Sequence, residues 1–84
     1  MAKQVRVYTA AYCGFCHRAK QLLERRGIGF EEIDVTSDLT TRQWLVSTTG
    51  RRTVPQIFVG EQSIGGYDEL RALDEAGRLA ALVA

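Results

Sequence analysis

Val7-Tyr8-Thr9-Ala10-Ala11-Tyr12-Cys13-Gly14-Phe15-Cys16 is the stretch on which the fold turns. Gln4-Val5-Arg6-Val7-Tyr8-Thr9 alternates polar with apolar or aromatic side chains and is rich in β-formers, the period of a strand. From Cys16 to Arg26 the period changes: Ala19, Leu22 and Leu23 fall at helical spacing, Arg18, Lys20, Gln21, Glu24, Arg25 and Arg26 supply a polar face, and Gly27 ends the helix. Two cysteines therefore stand where a strand passes into a helix. The N–H groups of a helix's first turn lack partners within the helix and, with the macrodipole, stabilise an anion placed there. Thiols in such positions can titrate anywhere from ~3.5 to ~7.5, against about 8.5 for a free thiol. Cys13, the outermost, is the candidate thiolate. Cys16 lies about one turn further in on the same face, within disulfide reach. A thiolate attacks disulfide sulfur, and a neighbouring thiol resolves the mixed disulfide.

Outward from this stretch, Phe30-Glu31-Glu32-Ile33-Asp34-Val35 alternates again and predicts a second strand. Thr36-Ser37-Asp38 offers N-cap residues to a helix carrying Leu39, Trp44, Leu45 and Val46 and ending near Gly50. Gln56-Ile57-Phe58-Val59 is a short apolar strand, Gly60-Glu61 a turn, and Gln62-Ser63-Ile64 its hairpin return, closed by Gly65-Gly66. Tyr67-Asp68-Glu69 places acids in a first helical turn, and Leu70 and Leu73 give that helix an apolar side; after Gly77 runs a weakly patterned apolar tail. The order β-α-β-α-β-β-α predicts an α/β fold. Its first two strands are parallel through a right-handed crossover and its last two antiparallel, in a mixed four-stranded sheet with helices on both faces.

Composition narrows the functions. The chain has 84 residues, enough for one domain spanning 1–84, with 45% hydrophobic and 25% charged residues and a net charge of +1. That balance gives no case for nucleic-acid or membrane-surface binding. No apolar run reaches the ~18 residues a membrane span needs, and Met1-Ala2-Lys3-Gln4-Val5-Arg6 does not read as a secretory leader. The expected location is the cytoplasm. Two cysteines are too few for a secreted disulfide framework. Zinc is the first rival use of the pair, but a structural site takes four ligands and His17, adjoining Cys16, is the one other soft ligand. Cys-x-x-Cys-His is also the c-type haem attachment signature, and the sole methionine is Met1. Pro55, the single proline, reads by itself as the start of a strand, where a missing N–H does little harm.

These residues resemble a bacterial dithiol glutaredoxin over essentially the whole length. The resemblance rests on Val7-Tyr8-Thr9 leading to Cys13-x-x-Cys16, on Thr53-Val54-Pro55-Gln56-Ile57-Phe58-Val59, and on Ile64-Gly65-Gly66-Tyr67-Asp68-Glu69-Leu70. It implies a thioredoxin-like fold and glutathione-dependent reduction of protein disulfides and glutathione mixed disulfides, with Cys13 as nucleophile and Cys16 as resolving partner. It implies further that Thr53-Val54-Pro55 is a cis-proline loop whose Val54 N–H and C=O pair with glutathione's cysteine. Gly66, Tyr67 and Asp68 would hold the γ-glutamyl end, and Arg42 would meet the glycyl carboxylate. Glutathione would be the cosubstrate, with no organic prosthetic group, and the protein would act as a monomer on glutathionylated or disulfide-containing proteins.

Three departures stand out. Gly14-Phe15 replaces the family's usual Pro-Tyr between the cysteines. Ala10 or Ala11 stands where a lysine is common. Arg51 and Arg52, flanking the Thr53–Pro55 loop, are the candidates to supply that charge instead. Gly14-Phe15 also resembles the Cys-Gly-Phe-Ser of monothiol members that carry iron–sulfur clusters. Two alternatives thus remain open: a glutathione-bridged [2Fe–2S] module with Cys13 as the ligand, and a glutaredoxin-like protein reduced by thioredoxin reductase.

Overall fold

The structure is a computed structural model describing residues 2–84. Its elements follow the predicted order, β1 (Val5–Thr9), α1 (Gly14–Arg25), β2 (Glu31–Asp34), α2 (Leu39–Thr49), β3 (Gln56–Val59), β4 (Gln62–Gly65) and α3 (Tyr67–Glu75). The tail read as weakly patterned adds a short helix, α4 (Leu79–Val83). Five residues are too few for helical periodicity to show, and α4 is recognisable only by what it packs on: Leu79 is buried in the core, and Val83 C=O accepts the Lys3 N–H at 2.9 Å.

The sheet order is β2-β1-β3-β4. β1 and β2 pair in parallel, Val7 opposite Glu32, while β1–β3 and β3–β4 are antiparallel. Side chains alternate across a strand, so Val5 and Val7 of β1, with Ile57 and Val59 of β3, face one side. There Ala19, Leu22 and Leu23 of α1, Leu70 of α3 and Leu79 of α4 complete the larger core. Tyr8 and Phe58 point to the other side and pack with Val35 and with Leu45 of α2. Trp44 covers this smaller core, stacked on Phe58 with ring centroids 5.6 Å apart. The fold is thioredoxin-like, with one helix on one face and three on the other.

Two details place the site. Asp38 takes the N-cap of α2, its Oδ1 accepting the Thr41 N–H at 3.0 Å. Thr36 is left free to accept the Ala11 N–H on Oγ1 at 2.7 Å, which ties the β1–α1 loop to the β2–α2 loop just ahead of the cysteines. On the far side Gln56, 2% exposed, anchors the segment before β3. Its Oε1 meets the Thr49 hydroxyl and its Nε2 donates to the Arg51 carbonyl, both at 2.8 Å.

Candidate active site

Cys13 is the N-cap of α1, in extended backbone, and its Sγ accepts the Cys16 N–H at 3.1 Å. A sulfur here takes the place that Ser or Asp oxygen fills at other helix starts. α1 has no acidic residue in its first turn, so no like charge competes with a thiolate on the positive end of the helix. Cys13 is partly exposed and Cys16 buried. Burial, first of all, and then the hydrogen bond and charge of Cys13 push the Cys16 thiol up to about 12. The two thiols thus differ in exposure and in surroundings.

Cys13 Sγ also lies 3.6 Å from the Val54 carbonyl oxygen. That contact brings the second motif against the first across 41 residues of chain. The Val54–Pro55 bond is cis, as the resemblance implied and periodicity alone could not reveal. From here a groove of about 240 Å³ runs to the start of α3, lined by Phe15, Arg51, Thr53, Val54, Pro55, Gly66, Tyr67, Asp68 and Glu69. Six predicted residues therefore share one cavity beside Cys13. Phe15 stands at its mouth, half exposed, 6.1 Å centroid to centroid from Tyr67 and with the Arg18 guanidinium 5.5 Å from its ring.

Arg42 is placed differently. It lines an adjoining hollow of about 630 Å³ under α2, which meets the groove at Val54 and Arg51. Its Nε donates to the Val35 carbonyl at 2.9 Å. Arg51, one of the two candidates to supply the missing lysine's charge, pairs within the protein. It donates to Glu69 Oε1 at 2.7 Å, and the same oxygen accepts the Gly66 N–H at 2.7 Å. Both contacts, the Gly66 N–H foremost, hold the Glu69 carboxyl below the usual carboxylate range.

Glu69 and Thr36 escaped the sequence reading as site residues. Glu69 three positions after Gly66 has the spacing of a capping residue, which was the available signal. Thr36 gave none, because its partner is 25 residues away.

On its other flank Cys13 itself lines a hollow of about 520 Å³, together with Lys20 and Glu32. Glu32 Oε2 accepts from the Thr9 hydroxyl at 2.8 Å and from Lys20 Nζ at 3.1 Å, binding α1 and β2 to the end of β1. Among the described residues no group of three or more His, Cys, Asp or Glu side chains is placed to hold a metal ion.

A redox-capable dithiol at a helix N-terminus, facing a cis-proline loop on this sheet, defines a thiol–disulfide oxidoreductase of thioredoxin-like fold. The glutaredoxin family model matches residues 5–64, and the chain belongs to the glutaredoxin family. A glutaredoxin of Pseudomonas aeruginosa is 48% identical over 77 residues, 92% of each chain. Glutaredoxin 3 of Escherichia coli is 45% identical over 75 residues, 89% of this chain and 90% of its own. In structure, the buckwheat glutaredoxin–glutathione complex superposes with a TM-score of 0.91 at 30% identity, over 96% of this chain and 76% of that one.

Proposed function

We propose that residues 1–84 act as one domain, a monomeric, glutathione-dependent reductase of protein disulfides and glutathione mixed disulfides in the cytoplasm. The observation that carries this reading is the placement of Cys13 Sγ, under the Cys16 N–H and beside Val54, at the end of a groove lined by Thr53, Val54, Pro55, Gly66, Tyr67 and Asp68. A glutathionyl group laid along it presents its cysteine backbone to Val54. Its γ-glutamyl carboxylate reaches the free N–H groups at the start of α3, its amine reaches Asp68, and its glycyl carboxylate reaches Arg42. The buckwheat relative's complex with glutathione supports the same occupant here.

The reaction follows from the two thiols. The Cys13 thiolate attacks the glutathione sulfur of a mixed disulfide; the old S–S bond breaks and the client leaves as a thiolate that takes up a proton. The enzyme is left as Cys13–S–S–glutathione. A second glutathione thiolate attacks that glutathione sulfur, giving glutathione disulfide and restoring the Cys13 thiolate. With a protein disulfide, the Cys13 thiolate attacks one sulfur and releases the other as a client thiolate. Cys16 then gives up its proton and attacks Cys13, breaking the Cys13–client bond and releasing the client's second thiolate. The Cys13–Cys16 disulfide is reduced by two glutathiones that leave as glutathione disulfide.

Reduction of a small glutathione mixed disulfide, coupled to glutathione reductase, tests the reading. Turnover in that system supports it, whereas turnover only with thioredoxin reductase overturns the glutathione dependence. An iron–sulfur cluster fits one chain poorly: [2Fe–2S] takes four protein or equivalent ligands, and Cys13 is the one partly exposed thiol. The remaining ligands would have to come from outside the chain, so anaerobic reconstitution with iron and sulfide but no glutathione should leave the protein colourless.

A further inference from the structure

We infer that Arg51 and Glu69 form a positioning pair that straps the two walls of the groove together and thereby sets its affinity for the glutathionyl group. The inference deepens the glutathione reading and rests on it. Arg51 belongs to the wall made by the segment between α2 and β3, Glu69 to the wall made by α3, and both line the groove.

Arg51 is mounted at both ends of its backbone. Its N–H donates to Thr49 Oγ1 at 3.1 Å, and its carbonyl accepts from the buried Gln56 side chain at 2.8 Å. From this base its Nη1 crosses to Glu69 Oε1 at 2.7 Å, the same oxygen that holds the Gly66 N–H. The sequence makes room for the arrangement. A Cβ on Gly65 would fall on the Glu69 carboxylate, and one on Gly66 would stand 3.2 Å from the Pro55 carbonyl. One carboxylate oxygen thus fixes both the arginine and the residue from which α3 starts.

Two consequences concern the ligand. With the Gly66 N–H engaged inside the protein, helix geometry leaves those of Tyr67, Asp68 and Glu69 without an intrahelical partner at the start of α3. Arg51, which lines both the groove and the hollow holding Arg42, is kept from swinging into the path between them. The pair contributes little to stability, since its side chains are 50% and 42% exposed. Its work is geometric.

This role predicts a sign opposite to that of plain electrostatics. A carboxylate beside an anion-binding helix end repels a ligand carboxylate, so removing its charge would by Coulomb's law improve binding. A positioning role requires the reverse. Arg51→Met, Glu69→Gln and the double variant are compared with the wild type by steady-state kinetics on a glutathionylated peptide at saturating glutathione. Each single variant should raise KM by roughly three- to tenfold with kcat within about twofold, the size of effect seen for coupled neighbours. The double variant should be no worse than the worse single one, and Arg51→Lys should recover part of the loss by keeping the charge. A lowered or unchanged KM in Glu69→Gln overturns the pair, as do losses that multiply in the double variant. Loss of Arg51 felt equally with and without Glu69 would make Arg51 a direct ligand contact. Thermal melts of each variant control for folding, and a loss confined to kcat or tracking a fall in Tm also counts against the pair. A wild type without glutathione turnover overturns the underlying reading, a result distinct from normal turnover with the wrong pattern among variants.

Discussion

At Cys13 the sulfur receives a backbone N–H at 3.1 Å and is partly exposed, whereas three residues on the Cys16 thiol is buried and pushed up to about 12. At pH 8, well below that value, Cys16 stays a thiol. Iodoacetamide at pH 8 should therefore label Cys13 in the reduced protein and leave Cys16 untouched, as read by peptide mass spectrometry. Comparable labelling of both would contradict the burial assigned to Cys16. The same asymmetry divides the chemistry: Cys13→Ser should abolish turnover of glutathione mixed disulfides, and Cys16→Ser should retain it, because glutathione can resolve the intermediate and no internal disulfide then competes. Equal loss in both variants would exclude the glutathione-resolved route. At the groove's two ends, Arg42→Ala and Asp68→Ala should each raise KM for a glutathionylated substrate by roughly fivefold, the worth of an exposed charge-assisted contact. Unchanged kinetics in both would leave recognition to backbone groups.

Elements position these residues, and the turn from β4 into α3 does so under the tightest constraint. Gly65 has φ of +103° and no space for a Cβ because the Glu69 side chain folds back over it. Gly65→Ala meets both obstacles, an unfavourable backbone and a displaced carboxylate. It should destabilise the protein by about 1–3 kcal/mol, lowering Tm by ~4–8 °C per kcal/mol for a chain of this size. A melt within a degree of wild type would show that the turn rearranges freely. The sequence announced this turn by Gly65-Gly66 and acids in the next turn, yet gave no sign that Glu69 serves both α3 and Arg51. Periodicity was enough for β1 and α1, and a short apolar run for β3, which is buried on both faces. α2 was legible mainly from Asp38 and Gly50, because Leu39 is largely exposed and Trp44 partly so, which blurs its pattern. What local pattern could not carry was contact between distant segments: Thr36 with Ala11, Arg42 with Val35, Cys13 with Val54. Each depends on where the chain returns, and only the family resemblance brought the last of these within reach.

Across the whole molecule, carboxylates do much of the joining between elements. Asp74 takes a two-pronged contact from Arg26 at 2.7 and 2.9 Å, fastening the end of α1 to α3. Glu32 joins β2 to Thr9 and Lys20, Glu69 joins α3 to Arg51, Asp38 caps α2, and Asp34 holds the Thr36 turn. All five carboxyls titrate below their ordinary values. The leading causes are the Arg26 contact for Asp74, the Thr9 hydroxyl for Glu32, the Gly66 N–H for Glu69, and hydrogen bonds from Thr41 and Thr36 for Asp38 and Asp34. A carboxyl whose folded value is depressed binds protons more readily in the unfolded chain. Its stabilisation is therefore complete above the unfolded value and is lost as pH falls through the folded one. Loss should begin near 4.5 for the two glutamates and near 3.8 for the three aspartates, and deepen below. Tm of the reduced protein, followed by circular dichroism, should accordingly change little from pH 7 to 5 and fall steadily from about pH 4.5 downward. Asp74→Asn should melt lower than wild type at pH 7, and the difference should narrow progressively as pH falls below about 3.8. A constant difference between the two across that range would mean that Asp74 supports the fold by packing rather than by its charge.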